Sequence, residues 1–278
     1  MGNQQPRKQT LRPEPTSSRR RLGAVGAGAL AAAVVLGLAG CNGYDATSPS
    51  SAREHASGVP APFATGVAGP VDCGKAKCVA LTFDTGPSPQ TPKILAILRE
   101  YHIHATFFLR GDNALKYADF TRQTAADGNE LETLTWNHHI LTKISKDDVR
   151  KEIVEGRQAV AKVTGITPTL LRPPQGRTND AITGIARGLG MAEVEWSATG
   201  SDYATNDSQL IADRILKHTG PDGIILLHDY VDPTNRGYNG TVASIPLIVS
   251  KLQSQGYTFV TVSQLLAPGK PQPGKVYK

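Results

Sequence analysis

Asp84, Arg172, His228 and Asp229 each stand where an apolar run ends, and His138, His139 and Asp202 follow shortly after others. In "LTFDTGP", residues 81–87, the run Val79-Ala80-Leu81-Thr82-Phe83 delivers one carboxylate, Asp84, to a turn set by Gly86-Pro87. Further on, Gly223-Ile224-Ile225-Leu226-Leu227 delivers His228 and then Asp229. A carboxylate that can take a proton and an imidazole that can return one are the groups of general acid–base catalysis. Thr85 stands where a second acid would be expected if the first turn were a metal site. Taken singly, each motif has a plain reading. Asp84 could merely cap its turn, and Arg172-Pro173-Pro174 could be only a rigid strand exit. Five such strand ends in one chain exceed what turn chemistry explains. His102, His104 and His218 lie in loop or helix contexts and read as structural or surface residues.

The elements that must carry these groups alternate along the chain. Strands are expected at 79–83, 105–109, 130–135, 169–172, 192–197, 223–227 and 257–262. Between most of them lie helix signatures. Thr91-Pro92 reads as an N-cap with Pro at the first helical position, and Ser145 with Asp148 as a capping-box-like start. Gly165, Gly190, Gly220 and Gly256 suit left-handed C-caps. About seven parallel strands alternating with helices imply an α/β fold, a closed or nearly closed β/α barrel. In such a barrel all the strand ends above share one face, where the βα loops build a site.

The chain ends read differently. Residues 1–40 have Arg19-Arg20-Arg21 before a weakly apolar Ala/Gly/Val run that closes on Leu38-Ala39-Gly40-Cys41. This is the pattern of an export signal, twin-arginine-like, ending at a lipobox. Cys41 is then the lipidated first residue of a lipoprotein on the outer face of the cell membrane; the alternatives are an uncleaved membrane anchor, or a plain signal with a coincidental cysteine and a secreted chain. Residues 41–71, rich in Ser, Ala, Pro and Gly, read as a flexible tether; 72–267 is the folded domain, and 268–278 a flexible tail. The leader's six cations and one acid account for +5 of the formal charge of +6, leaving about +1 for the rest. With no arginine stripe interleaved with aromatics, nucleic acid is not an expected partner. Of three cysteines, Cys73 and Cys78 remain after lipidation. No further Cys could complete a metal set, so an exported chain should join them in a small-loop disulfide stabilising by about 2 kcal/mol.

Five motifs in order carry a family likeness: Thr82-Phe83-Asp84-Thr85-Gly86-Pro87, Thr135-Trp136-Asn137-His138, Arg172-Pro173-Pro174-Gln175-Gly176, Trp196 to Asp202-Tyr203, and Leu226-Leu227-His228-Asp229. Across roughly residues 76–267 the sequence resembles the polysaccharide deacetylase family, the NodB-homology domain. The resemblance implies a distorted (β/α) barrel that removes acetyl groups from an acetylated polysaccharide, peptidoglycan or chitin-like, with a divalent metal, most often zinc. Carried over by position, Asp84 is the general base and His228 the general acid. Arg172 orients Asp84, Asp202 supports Arg172 or His228, and the Gln175 N–H holds the oxyanion. Trp196 and Tyr203 belong beside the substrate. The family's metal is held by an acid after the base and by a His-x-x-x-His pair; those positions here are Thr85, Leu134 and His138. His138 alone persists, so the metal is expected to be weakly held or absent. A rescue through His139 and Asp84 would withdraw Asp84 from its role as base. Three functions follow: a surface-anchored, monomeric deacetylase with an impaired metal site, a non-catalytic glycan-binding lipoprotein, or a metal-independent hydrolase such as an esterase. No Gly-x-Ser-x-Gly elbow supports a serine nucleophile.

Overall fold

The computed structural model describes residues 45–55, 71–229 and 239–278. In chain order these form β1 (Ala46–Thr47), α1 (Pro49–Glu54), β2 (Lys77–Asp84), α2 (Thr91–Glu100), β3 (Thr106–Leu109), α3 (Gly111–Lys116), α4 (Ala118–Ala126) and β4 (Glu130–Thr133). There follow α5 (Lys146–Thr164), β5 (Leu170–Leu171), α6 (Asp180–Gly188), β6 (Ala192–Val194), β7 (Ala198–Thr199) and α7 (Ser208–His218). The last are β8 (Gly223–His228), α8 (Asn239–Ser254), β9 (Tyr257–Val260), α9 (Val262–Leu266) and β10 (Val276–Tyr277).

All ten strands join one parallel sheet in the order β1-β10-β6-β5-β4-β3-β2-β8-β7, with β9 pairing on β2. The sheet curls into a half-barrel, an open form of the expected β/α barrel, with ten strands among the described residues rather than about seven. Strand alternation explains the site. Along β2, Val79, Leu81 and Phe83 point outward and pack with residues of α2, α7 and α8 such as Leu95, Ile211 and Ile248. Ala80 points inward beside Phe108, Leu134, Val194 and Ile224. Thr82 and Asp84 therefore face the barrel interior, as does His228 at the same level of the neighbouring β8.

The expected strand over 192–197 is broken. Its first half, β6, pairs with β5 and β10, and its second part, β7, crosses to β8. The sheet path is therefore open, with β1 and β7 at its two ends, and residues 195–197 link β6 to β7. There the Arg172 side chain replaces the missing ladder: Nε donates to the Val194 carbonyl at 3.0 Å and Nη2 to the Glu195 carbonyl at 3.1 Å. Helix starts follow their caps, with Ser145, Asn179 and Asp207 each accepting backbone N–H bonds. Gly165 and Gly256 have the positive φ of left-handed caps, 76° and 81°. Thr91 is a correction: it lies inside α2, because its hydroxyl is engaged with Asp229 instead.

The expected tether and tail also need correcting. Residues 45–55 and the C-terminal end belong to the fold. Val276 and Tyr277 are buried and sit between β1 and β6, in register with Ala46 and Thr47 on one side and Glu193 and Val194 on the other. An otherwise open strand edge on β6 takes up these backbone groups, which composition cannot reveal. Helix α1 is fastened by Arg53, which donates to the Leu265 carbonyl at 2.8 Å and pairs with Asp222 at 2.6 Å. Few apolar residues are needed for such an attachment. Cys73 and Cys78 are joined as a disulfide. The leader, Cys41 and tether positions 42–44 and 56–70 lie outside the described residues. Among the described residues no helix is long and apolar enough to cross a membrane.

Candidate active site

Asp84 and His228 are paired positions on adjacent parallel strands, the last residues of β2 and β8. Adjacent strands lie about 4.8 Å apart, so the register alone sets a carboxylate and an imidazole side by side. Both are held from behind. Arg172, fully buried, donates through Nη1 to Asp84 Oδ1 and to Thr82 Oγ1, each at 2.7 Å. Its guanidinium carbon lies 4.0 Å from the Phe108 ring centroid and 5.8 Å from that of Trp196. Asp202, also fully buried, serves His228 rather than Arg172. Its Oδ1 is 2.8 Å from His228 Nδ1, and its Oδ2 accepts the His228 N–H and the Thr241 hydroxyl, both at 2.8 Å. With Nδ1 engaged, Nε2 is the ring nitrogen left for the cleft.

Electrostatics separate the two histidines. Burial pushes His228 down, but the Asp202 charge and hydrogen bond, with Asp84, outweigh it and its pKa is raised. Burial dominates at His138, whose pKa is lowered despite Asp84. One imidazole is therefore suited to carry a proton and the other to stay neutral.

These groups open into one cleft of about 420 Å³ lined by Asp84, Thr85, His138, Gln175, Trp196, Tyr203, Leu226 and His228. Tyr203 stands edge-on to His228, with ring centroids 5.8 Å apart, and is 56% exposed. The loops around the cleft hold non-glycine residues at positive φ: Thr85 at 69°, Thr135 at 76°, His138 at 72°, Gln175 at 59° and Ser201 at 51°. Such conformations cost about 1–3 kcal/mol each and persist where the surroundings enforce them.

The metal corner is different in kind. Thr85 Oγ1 donates to the Asp84 carbonyl at 2.6 Å. Leu134 is fully buried in the interior core. His139 faces Glu152, with Nδ1 3.1 Å from Oε1, while Glu152 Oε2 accepts the Asn137 N–H at 3.1 Å. Glu152 thus holds the loop that turns His138 into the cleft and His139 out of it. Among the described residues no group of three or more His, Cys, Asp or Glu could hold an ion. An ion here would meet His138 and an Asp84 already engaged with Arg172, so these residues do not fit a three-donor zinc site.

Every expected cleft residue among Asp84, His138, Arg172, Gln175, Trp196, Asp202, Tyr203 and His228 lies in or directly behind this one cavity. Sequence reasoning missed Thr82, Thr241, Glu152 and the part played by Asp229. Thr82 had a signal, being the inward position two residues before Asp84. Thr241 and Glu152 had none, because they reach the site from helices 39 and 15 residues distant from their partners.

A family model for polysaccharide deacetylase matches residues 72–194. The peptidoglycan-N-acetylglucosamine deacetylase PgdA of Listeria monocytogenes is 33% identical over 202 residues, which cover 72% of this chain and 41% of that protein. This chain thus spans less than half the length of that relative. A peptidoglycan-N-acetylglucosamine deacetylase of Bacillus cereus is 35% identical over 193 residues, covering 68% of this chain and 88% of the relative. A solved structure of T48 deacetylase with substrate superposes with a TM-score of 0.69 at 34% identity, covering 75% of this chain and 100% of that one. With the barrel, the cleft and these relatives in agreement, the chain belongs to the polysaccharide deacetylase family.

Proposed function

We propose that this protein hydrolyses acetyl groups, N-acetyl before O-acetyl, on a peptidoglycan-type or chitin-like glycan, through a site whose metal corner is impaired. The observation that carries this is the pair of supported groups on adjoining strands, Asp84 with Arg172 and His228 with Asp202, opening into one cleft. The relatives named above, called deacetylases of N-acetylglucosamine in peptidoglycan, support the substrate class.

In the reaction Asp84, held in place by its hydrogen bond from Arg172, takes a proton from water as the water oxygen attacks the acetamide carbonyl carbon. The oxyanion forms beside the Gln175 backbone, whose left-handed turn brings it to the cleft. The carbon–nitrogen bond then breaks as His228 gives its proton to the leaving nitrogen, releasing acetate and a free amine. Trp196 and Tyr203 line the walls against which a sugar ring can lie. A divalent ion in this family's fold supplies a more acidic water and a charge sink. Of the family's three ligand positions, here Thr85, Leu134 and His138, His138 alone retains an imidazole or carboxylate for it.

Thr85 and Leu134 also favour a second reading, a non-catalytic glycan-binding protein that retains the cleft. Acetate release from an N-acetylated chito-oligosaccharide, measured together with the metal content of the purified protein, separates the two. Release that is lost in Asp84→Asn supports the hydrolase, and glycan binding without release supports the alternative. The leader pattern ending at Cys41 supports placement of the protein outside the cell by a lipid anchor.

A further inference from the structure

The residue beside the acid, Asp229, lines no part of the cleft, yet it is completely buried, and its N–H and both carboxylate oxygens have partners in Asp84 and the loop that follows it. Its N–H donates to the Asp84 carbonyl at 2.8 Å. Oδ1 accepts the Ser88 hydroxyl at 2.7 Å, and Oδ2 accepts the Thr91 hydroxyl at 2.5 Å. Each hydroxyl in turn accepts a loop amide: Gln90 N–H to Ser88 Oγ at 3.0 Å and Ser88 N–H to Thr91 Oγ1 at 2.8 Å. Direction is therefore fixed along the whole chain, from amides through hydroxyls to a group that must accept twice. Gly86 completes the fit, since a Cβ there would lie 2.5 Å from Asp229 Oδ2.

From this geometry we infer that Asp229 is a positioning residue of the proposed hydrolase, holding the loop of residues 84–91 so that Asp84 keeps its place beside His228. The inference rests on the function proposed above. Strand alternation divides the labour within one dipeptide: His228 turns into the barrel, and Asp229 turns out beneath the base-bearing loop. The same loop is tied to the next strand's end, where Asn113 Nδ2 donates to the Thr85 carbonyl at 2.9 Å and Arg110 N–H to the Gly86 carbonyl at 3.1 Å. Asp229 is thus the junction between the strand carrying the acid and the loop carrying the base. Burial pushes its carboxyl up to about 6, with the Ser88 and Thr91 hydroxyls pulling the other way, so above neutral pH it is the double acceptor the network needs.

A carboxamide has one acceptor oxygen, so Asp229→Asn faces one hydroxyl with an N–H₂ group and leaves that hydroxyl's proton without its acceptor. Ser88→Ala removes one arm of the network and leaves Asp229 in place. Both variants of the full chain are compared at pH 8 by acetate release and by hydrogen exchange of the Ser88 and Gln90 amides. Misplacement of a catalytic group by about 1 Å costs up to about 100-fold in rate. The expected result for Asp229→Asn is kcat lower by about 10- to 100-fold, KM within about twofold, and exchange of both amides about tenfold faster or more. Ser88→Ala should shift both readouts in the same direction, and the combined variant should be no worse than Asp229→Asn. A folded Asp229→Asn with unaltered Ser88 and Gln90 exchange overturns the inference, as does a rise in KM with kcat unchanged. Should Asp229→Asn fail to fold, unaltered Gln90 exchange and kcat in Ser88→Ala overturn it. Absence of acetate release from the unmodified protein would refute the hydrolase, whereas the exchange measurement still decides whether Asp229 orders the loop.

Discussion

Replacing Arg172 with Met should damage the fold and the site together, because one guanidinium serves both. The side chain is fully buried and makes four hydrogen bonds: to Asp84 and Thr82 from Nη1, to the Val194 carbonyl from Nε, and to the Glu195 carbonyl from Nη2. Methionine preserves much of the stem that packs on Phe108 but supplies no donor. Asp84, only 5% exposed, becomes a buried carboxylate without its cation. Removing one partner of a buried ion pair costs about 3–5 kcal/mol, and a buried carbonyl that loses its donor costs about 1–3 kcal/mol. These contributions overlap, since the loosened seam can admit water. The expected loss is therefore about 4 kcal/mol, a large share of the roughly 5–15 kcal/mol that holds a domain together. Arg172→Lys should lose about half as much, because one ammonium can neutralise Asp84 but cannot also span the two carbonyls. The double change Asp84→Asn with Arg172→Met should be more stable than Arg172→Met alone, since it removes the orphaned charge. Urea unfolding of the four proteins at pH 7 measures all of this. A loss below about 1 kcal/mol in Arg172→Met, or a double variant no better than the single one, would refute the reasoning.

The metal corner can be tested by restoring donors: Thr85→Asp with Leu134→His should take up near-stoichiometric zinc as a pair but hardly at all as single changes. Stoichiometric zinc in the unmodified protein, lost to a chelator along with acetate release, would contradict this. Asp202→Asn should move the alkaline limb of the kcat–pH profile toward acid, because Asp202 helps raise the His228 pKa. The sign for stability follows: a raised histidine contributes stability below the ordinary value of about 6.5, lost as pH rises through the folded value, and Asp202→Asn should abolish that slope. A profile and a stability curve unchanged in Asp202→Asn would count against the pair. Cys41→Ser should leave the protein unprocessed or released from membranes, and normal processing with normal membrane fractionation would remove the lipoprotein proposal.

Which residues are reactive, and on which end of which strand, was legible before any coordinates. Val79–Phe83 and Gly223–Leu227 are short apolar runs ending in Asp84 and His228, and a parallel sheet puts such ends on one face. The departures at Thr85 and Leu134 are equally visible, because they are matters of residue type. Contacts between distant segments were not legible. That Asp202 serves His228 and not Arg172 depends on the turn after Ser201, and that Thr241 joins them depends on where α8 begins. The C-terminal Val276 and Tyr277 look like part of a flexible tail until β6 offers them an open edge. The break at residues 195–197 is invisible in a run that reads as one strand, because pairing of β6 with β5 and β10, and of β7 with β8, imposes it and propensity does not. Local sequence sets side-chain type and the alternation of faces, and both are properties of a few adjacent residues. Register, edge pairing and the sharing of one guanidinium between a seam and a carboxylate arise only when segments ninety residues apart along the chain are brought together, as Thr82 and Arg172 are.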